Sequence, residues 1–137
     1  RLADDNDLTK ITEFIQPFID EKELLPRTLD ELEHLLNTLY VAEVNGNIVG
    51  CAALEIYSKK LAEIRSLAVS SDIQGLGVGR KLVNACVALA QHHNILEVMA
   101  VTSSEAFFMA CGFDFTLPGE KKALFFQTND NQTNDKD

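Results

Sequence analysis

An α+β fold is predicted, with a mixed, mostly antiparallel sheet of about six to seven strands flanked by about four helices. Three observations predict it. Apolar residues recur at helical spacing in some segments and in short strand-like runs in others. The dipeptide Asn45-Gly46, which accepts the positive φ of a tight turn, separates two such runs. The stretch SLAVSSDIQGLGVGRKL (66–82) passes from a strand-like run through Gly75, Gly77 and Gly79 into a helix-like one. With 137 residues and 46% hydrophobic content, the chain is long enough for one core and too short for two ordinary domains. Residues 1–128 are read as a single domain. The polar tail NDNQTNDKD (129–137) has no apolar residue to bury and is expected to be disordered.

Taken in order, LTKITEFIQPFI (8–19) sets Leu8, Ile11, Ile15 and Phe18 on one helix face, with Asp7 available as a cap and Pro17 expected to end or bend the helix late. TLDELEHLLNTL (28–39) is a second helix, because Thr28 and Glu31 have the spacing of a capping box. LYVAEV (39–44) and NIVGCAALEIY (47–57) flank Asn45-Gly46 and predict an antiparallel hairpin, and KKLAEIRSLAV (59–69) predicts a third strand beside it. RKLVNACVALAQHH (80–93) is helical. LEVMAVT (96–102) is expected to be a buried strand and SSEAFFMA (103–110) a short helix stopped by Gly112. FDFTL and ALFFQT are expected to close the sheet. No internal repeat is present.

Composition excludes several function classes. The net charge of −9 disfavours extended contact with nucleic acid or an anionic membrane, so any phosphate-bearing ligand must be held locally. The longest apolar runs fall short of the roughly 18–20 residues of a membrane span. RLADDND has no basic-then-apolar pattern, so a soluble, cytoplasmic protein is expected. Cys51, Cys86 and Cys111 are an odd, scattered set without ligand spacing. They are expected to be reduced thiols in the core, and no metal site is expected.

A glycine-rich loop that joins a strand to a helix directs unpaired backbone N–H groups and the helix dipole at one point, which favours an anionic phosphate. Glycine removes the Cβ that would hold the phosphate away. The pattern is neither GxxxxGK[ST] nor GxGxxG followed by an acidic residue about 20 positions on.

Gln74-Gly75-Leu76-Gly77-Val78-Gly79, following Leu67-Ala68-Val69, resembles the acetyl-CoA motif Q/R-x-x-G-x-G/A of the GNAT superfamily of N-acetyltransferases. AFFMACGF (106–113) resembles that family's later A-x-x-Y-x-x-x-G-F-like element. The resemblance covers nearly the whole chain. It implies that the backbone amides of Gln74, Gly75, Leu76, Gly77, Val78, Gly79 and Arg80 hold the pyrophosphate of acetyl-CoA, with side-chain charge from Arg80 or Lys81. Leu67, Ala68 and Val69 would pair with the pantetheine arm like another strand, and an amide near Leu67 would meet the oxyanion.

The implied chemistry is attack of a primary amine on the thioester carbonyl. Such an amine, with a pKa of roughly 8–10, must first lose a proton. Glu63, directly or through water, and Glu55 are the candidate bases; either is equally an exposed strand carboxylate or an ion-pair partner of Arg65. Many relatives have a Tyr that protonates the thiolate where this chain has Phe108, which leaves Ser103, Ser104 or solvent as proton sources.

Within the superfamily, LLPRTLDEL (24–32), GCAALEIY (50–57), EIRSLAV (63–69), Phe108 and LPGEKKALFFQ (117–127) resemble the acetyltransferase domain of bacterial N-acetylglutamate synthases. These acetylate the α-amine of L-glutamate, the entry step of arginine synthesis. By that resemblance Arg27, and with it Arg65, pairs with a substrate carboxylate. The alternative for Arg27 is a solvated residue before a helix cap. Thr128, Asn129 and Asp130 stand where those synthases continue with an Arg and a Ser.

Three readings remain open. They are a stand-alone amino-acid N-acetyltransferase, an acetyltransferase for a cationic amine such as a polyamine, aminoglycoside or protein lysine, and a non-catalytic acetyl-CoA-binding module. The partner expected in either enzymatic case is a small-molecule or lysine amine. A homodimer through the last strands is in keeping with the resemblance.

Overall fold

The helical spacing of residues 8–19 becomes α1, Leu8–Asp20, in the computed structural model, which describes residues 1–115 and 124–128. Ile11 and Ile15 are its fully buried face, each contributing about 1.5–3 kcal/mol by burial. Asp7 makes no side-chain cap bond to α1. The Arg1 guanidinium holds its carboxylate through bonds of 2.8 and 2.9 Å, and the Asp4 N–H adds a third of 2.8 Å. Arg1 first, then Asp4, keep that carboxyl well below its ordinary range, at about 2. Asp4 supplies the cap instead, on a 3₁₀ turn at Asp5–Asp7. Pro17 lies inside α1 rather than at its end. Lys22, at φ 62°, closes the helix as the Glu23 N–H returns to the Phe18 carbonyl at 2.8 Å.

The expected capping box is present. The Glu31 N–H donates to Thr28 Oγ1 at 3.1 Å, and the Thr28 N–H donates to Glu31 Oε1 at 2.8 Å. The helix it starts, α2 (Leu29–Leu35), is shorter than expected, because a 3₁₀ turn at Leu36–Thr38 tightens the chain before the first strand. Thr38 contributes by donating its hydroxyl to the Leu35 carbonyl at 3.3 Å. Thr28→Ala should lower stability by about 1 kcal/mol, measured as a lower urea midpoint with an unchanged slope.

Strand β1 (Leu39–Val44) and β2 (Asn47–Ile56) form the expected hairpin, with Asn45 at φ 51° and Gly46 at φ 81° in the turn. Strand β3 (Leu61–Val69) pairs antiparallel with β2, and β4 (Glu97–Met99) pairs parallel with β3, giving the order β1-β2-β3-β4. The central strand β2 is buried on both faces. Cys51 and Ala53 pack with Ile11, Ile15, Leu32 and Val41 on the α1/α2 side. Ala52 and Leu54 pack with Leu82, Val83 and Cys86 of α3 (Val78–His92) on the other. Helix α4 (Glu105–Ala110) follows β4, and Gly112 stops it at φ 96°.

Two expectations for the sheet change. The apolar run 96–102 yields a strand of only three residues, none of them fully buried, because pairing to β3 ends at Glu63 and Met99. Val101, beyond that point, is 67% exposed. The sheet has four strands among the described residues. Of the two closing strands expected, 113–115 and 124–128 are irregular, and the rest falls outside the described residues, as does the polar tail. Burial pushes the Cys51 and Cys86 thiols up to about 12, so both are neutral at physiological pH. Cys111 is half-buried.

Candidate active site

Strand β3 runs nine residues, but β4 accompanies only its first three, Leu61 to Glu63. From Ile64 to Val69 that edge has no strand partner among the described residues, so its N–H and C=O groups are available to an extended ligand. The other edge of β3 carries a bulge. Ala53 faces Arg65 and Cys51 faces Ala68, so Ser66 and Leu67 together oppose Ala52. Ser66 takes φ 56°, an uncommon conformation for a side chain. Its carbonyl is held by the Cys51 thiol, which donates at 3.2 Å. A bulge of this kind rotates the following peptide, which is that of Leu67.

At the end of β3 the glycine loop begins. Gln74 folds its side-chain amide back to donate to the Val69 carbonyl at 3.0 Å, tying loop to strand. Gly75 and Gly77 take φ 87° and 83°, and a Cβ at either would meet open space. Their glycines are therefore required by backbone conformation. At Gly79 a Cβ would lie 3.3 Å from the Phe107 ring, so glycine there allows α3 and α4 to pack closely. Gly77 is the N-cap of α3 and has no side chain to satisfy the first turn. The first helical bond runs from the Lys81 N–H to the Gly77 carbonyl at 3.0 Å, so the N–H groups of Val78, Gly79 and Arg80 precede it and are free for an anion.

The diverging edge and the loop open into one cleft of about 1150 Å³. It contains Glu63, Arg65, Leu67, Ala68, Val69, Gln74, Gly75, Gly77, Val78, Gly79, Arg80 and Arg27. Of the sequence-predicted site residues, Leu76, Lys81 and Glu55 do not line it. Leu76 is exposed on the outside of the loop. Glu55 stands one strand back, directly across from Glu63.

Behind the cleft lies a charged cluster. Glu63 is 8% exposed, and its Oε1 accepts from the Tyr57 hydroxyl at 2.6 Å. Arg65 Nη1 donates to Glu55 Oε1 at 3.2 Å and to Glu63 Oε1 at 3.4 Å. Arg65 thus gives Nη1 to the protein's own carboxylates. Arg27 differs. Its side chain is only 8% exposed, yet it makes no hydrogen bond among the described residues; its nearest carboxylates are Glu31 at 3.7 Å and Glu55 at 3.9 Å. An arginine with a mostly buried side chain, lining the cleft with its donors unbonded among the described residues, suits an incoming carboxylate.

Sequence reasoning missed several lining residues. Phe18, Leu24 and Leu25 come from α1 and the segment after it, and Met99, Val101 and Thr102 come from β4 and the chain beyond it. Tyr57, which touches Glu63 without lining the cleft, was also missed, although Glu55-x-Tyr57 and Glu63-x-Arg65 share the period that places side chains on one face of paired strands. Phe108 reaches the cleft wall but is mainly a core residue, edge-to-face with Phe107 and Phe113. Ser103 and Ser104 both line the cleft; Cys111 does not. No group of three or more potential metal ligands occurs among the described residues, and no helix there is long and apolar enough to cross a membrane.

The chain is 34% identical over 113 residues to an uncharacterized N-acetyltransferase of Chlorobaculum tepidum, covering 82% of this chain and 71% of that one. It is 30% identical over 116 residues to an amino-acid acetyltransferase of Mycobacterium tuberculosis, covering 82% and 66%. It superposes with a TM-score of 0.72 and 30% identity on an N-acetylglutamate synthase of Neisseria gonorrhoeae solved with coenzyme A and N-acetyl-glutamate. That match covers 80% of this chain and 26% of the synthase, so the chain spans about a quarter of that protein's length. The model of the acetyltransferase (GNAT) family matches residues 6–113, a span that takes in β3, its bulge, the glycine loop and α4, and the chain belongs to that family.

Proposed function

We propose that this chain transfers the acetyl group of acetyl-CoA to the α-amine of an amino acid, with L-glutamate the first candidate. The observation that carries the reading is Arg27, a nearly buried guanidinium free of hydrogen bonds among the described residues, in the same cleft as Glu63. The Neisseria synthase, solved with coenzyme A and N-acetyl-glutamate, and the mycobacterial amino-acid acetyltransferase support it.

In this reading the pyrophosphate sits on the amides of Val78 to Arg80, and the pantetheine arm lies along the open edge at Leu67 to Val69. The acceptor presents its carboxylate to Arg27 and its amine to the thioester carbon. Glu63 takes the amine proton, directly or through water. The C–N bond forms, the C–S bond breaks, and the Leu67 amide stabilises the developing oxyanion. The leaving thiolate has a conjugate-acid pKa of about 8.5 and tolerates departure without an acid. Phe108 has no proton to give, so Ser103, Ser104 or water reprotonates it.

Gly77 offers a test of the loop. At φ 83° an alanine is strained by about 1–2 kcal/mol, so the free Gly77→Ala loop should relax to another conformation and regain the strain on binding, weakening CoA binding about tenfold in a calorimetric titration.

A second reading, acetylation of a cationic amine, is favoured by the net charge of −9 and by Glu23 and Glu63 in the cleft wall. A panel of L-glutamate, other amino acids and polyamines, assayed for CoA-thiol release, separates the two. Release with carboxylate-bearing acceptors supports the proposal; release with polyamines alone overturns it.

A further inference from the structure

We infer that Tyr57 is a positioning residue for Glu63: its hydroxyl fixes one carboxylate oxygen of the proposed base and leaves the other available to the cleft. The inference rests on the role proposed for Glu63, and its argument is geometric.

Glu55 and Glu63 are directly opposite each other on β2 and β3, an arrangement in which like charges repel. Two cations stand near them. Arg65 is closer to Glu55, at 3.2 Å, than to Glu63, at 3.4 Å, and Arg27 approaches Glu55 at 3.9 Å. Arg27 is within ion-pair reach of Glu55 and not of Glu63, and Arg65 is shared between the two. Among the described residues no other cation pairs with Glu63, and β4 places Met99 beside it. The shortest contact to Glu63 is the Tyr57 hydroxyl, 2.6 Å from its Oε1 and 3.4 Å from Glu55 Oε1, so the more buried of the two carboxylates accepts the phenol's short hydrogen bond.

Tyr57 is suited to that task. It lies just past the end of β2, where its N–H donates to the Leu61 carbonyl at 3.0 Å and fixes the turn into β3. Burial, and then the bond to Glu63, push its phenol above the ordinary range, so it keeps its proton and acts as a donor. The hydroxyl occupies Glu63 Oε1, and Oε2 has no hydrogen-bond partner among the described residues. One oxygen is anchored while the other can accept a proton from an acceptor amine.

The test is carbon-13 relaxation on protein labelled with ¹³C-glutamate, with the Glu63 signal assigned by its loss in Glu63→Gln. In Tyr57→Phe, which keeps the ring and its packing, the order parameter of the Glu63 side chain should fall from a rigid value to below about 0.6. Superimposable relaxation of Glu63 in wild type and Tyr57→Phe would overturn the inference. The measurement requires no turnover, so it is independent of the base assignment. If the order parameter falls but Glu63→Gln retains full rate of CoA release, the base assignment fails and the positioning stands. If Glu63→Gln is inactive and the order parameter is unmoved, the positioning alone fails.

Discussion

Glu63→Gln lowers kcat/KM about 10²- to 10⁴-fold and leaves CoA affinity unchanged. The substitution preserves the shape of the side chain, and the amide oxygen still accepts from the Tyr57 hydroxyl, so the strand pairing of β3 has no reason to change. What is lost is a group able to take the amine proton. The magnitude follows from the contribution of a positioned general base. Glu55→Gln is the matched control, because Glu55 sits outside the cleft wall, held by ion pairs with Arg65 and Arg27 and by a 3.4 Å bond from the Tyr57 hydroxyl. A comparable loss in both variants, with CoA binding also gone, would mean that the cluster holds the strands together and performs no proton transfer.

The second large effect is expected at Arg27. Arg27→Met keeps an apolar stem in the pocket and removes the guanidinium, so KM for an amino-acid acceptor should rise about 100-fold, equivalent to about 2.7 kcal/mol. KM for acetyl-CoA should stay as it is, and an amine lacking a carboxylate should be used no worse than before. The effect is large because the displaced group is almost out of water and has no strong internal partner to fall back on. Thr28 contributes indirectly: its capping box fixes the residue immediately following Arg27, so the arginine is delivered by a helix start rather than by a free loop.

What was legible in the sequence had a local cause. Asn45-Gly46 can turn because both residues accept positive φ, and Thr28 with Glu31 can cap because both bonds close within four residues. The glycine loop was legible because Gly75 and Gly77 are needed for their own backbone and not for a distant contact. What escaped depended on contacts remote in sequence. Asp7 has the chemistry of a cap, but Arg1 competes for its carboxylate and the cap moves to Asp4. The apolar run after Leu96 cannot report where pairing to β3 stops, yet that stopping point opens the cleft. Arg65 was legible as a cleft residue by type and position, but its sharing of Nη1 between the cross-strand carboxylates Glu55 and Glu63 depends on the pairing of β2 with β3. Tyr57 was hidden because a half-exposed aromatic past a strand end is ordinary until Glu63 is placed within 2.6 Å of its hydroxyl.

In the proposed reaction, acetyl moves from a thioester to an amino-acid α-nitrogen in this cleft. Incubation of the protein with [1-¹³C]acetyl-CoA and L-glutamate, followed by ¹³C NMR, follows that transfer atom by atom. The expected result is loss of the thioester carbonyl signal and matching growth of an amide carbonyl coupled to the α-nitrogen when the glutamate carries ¹⁵N, with one free thiol per amide. A thioester signal that decays only to acetate, at a rate indifferent to glutamate, would contradict it.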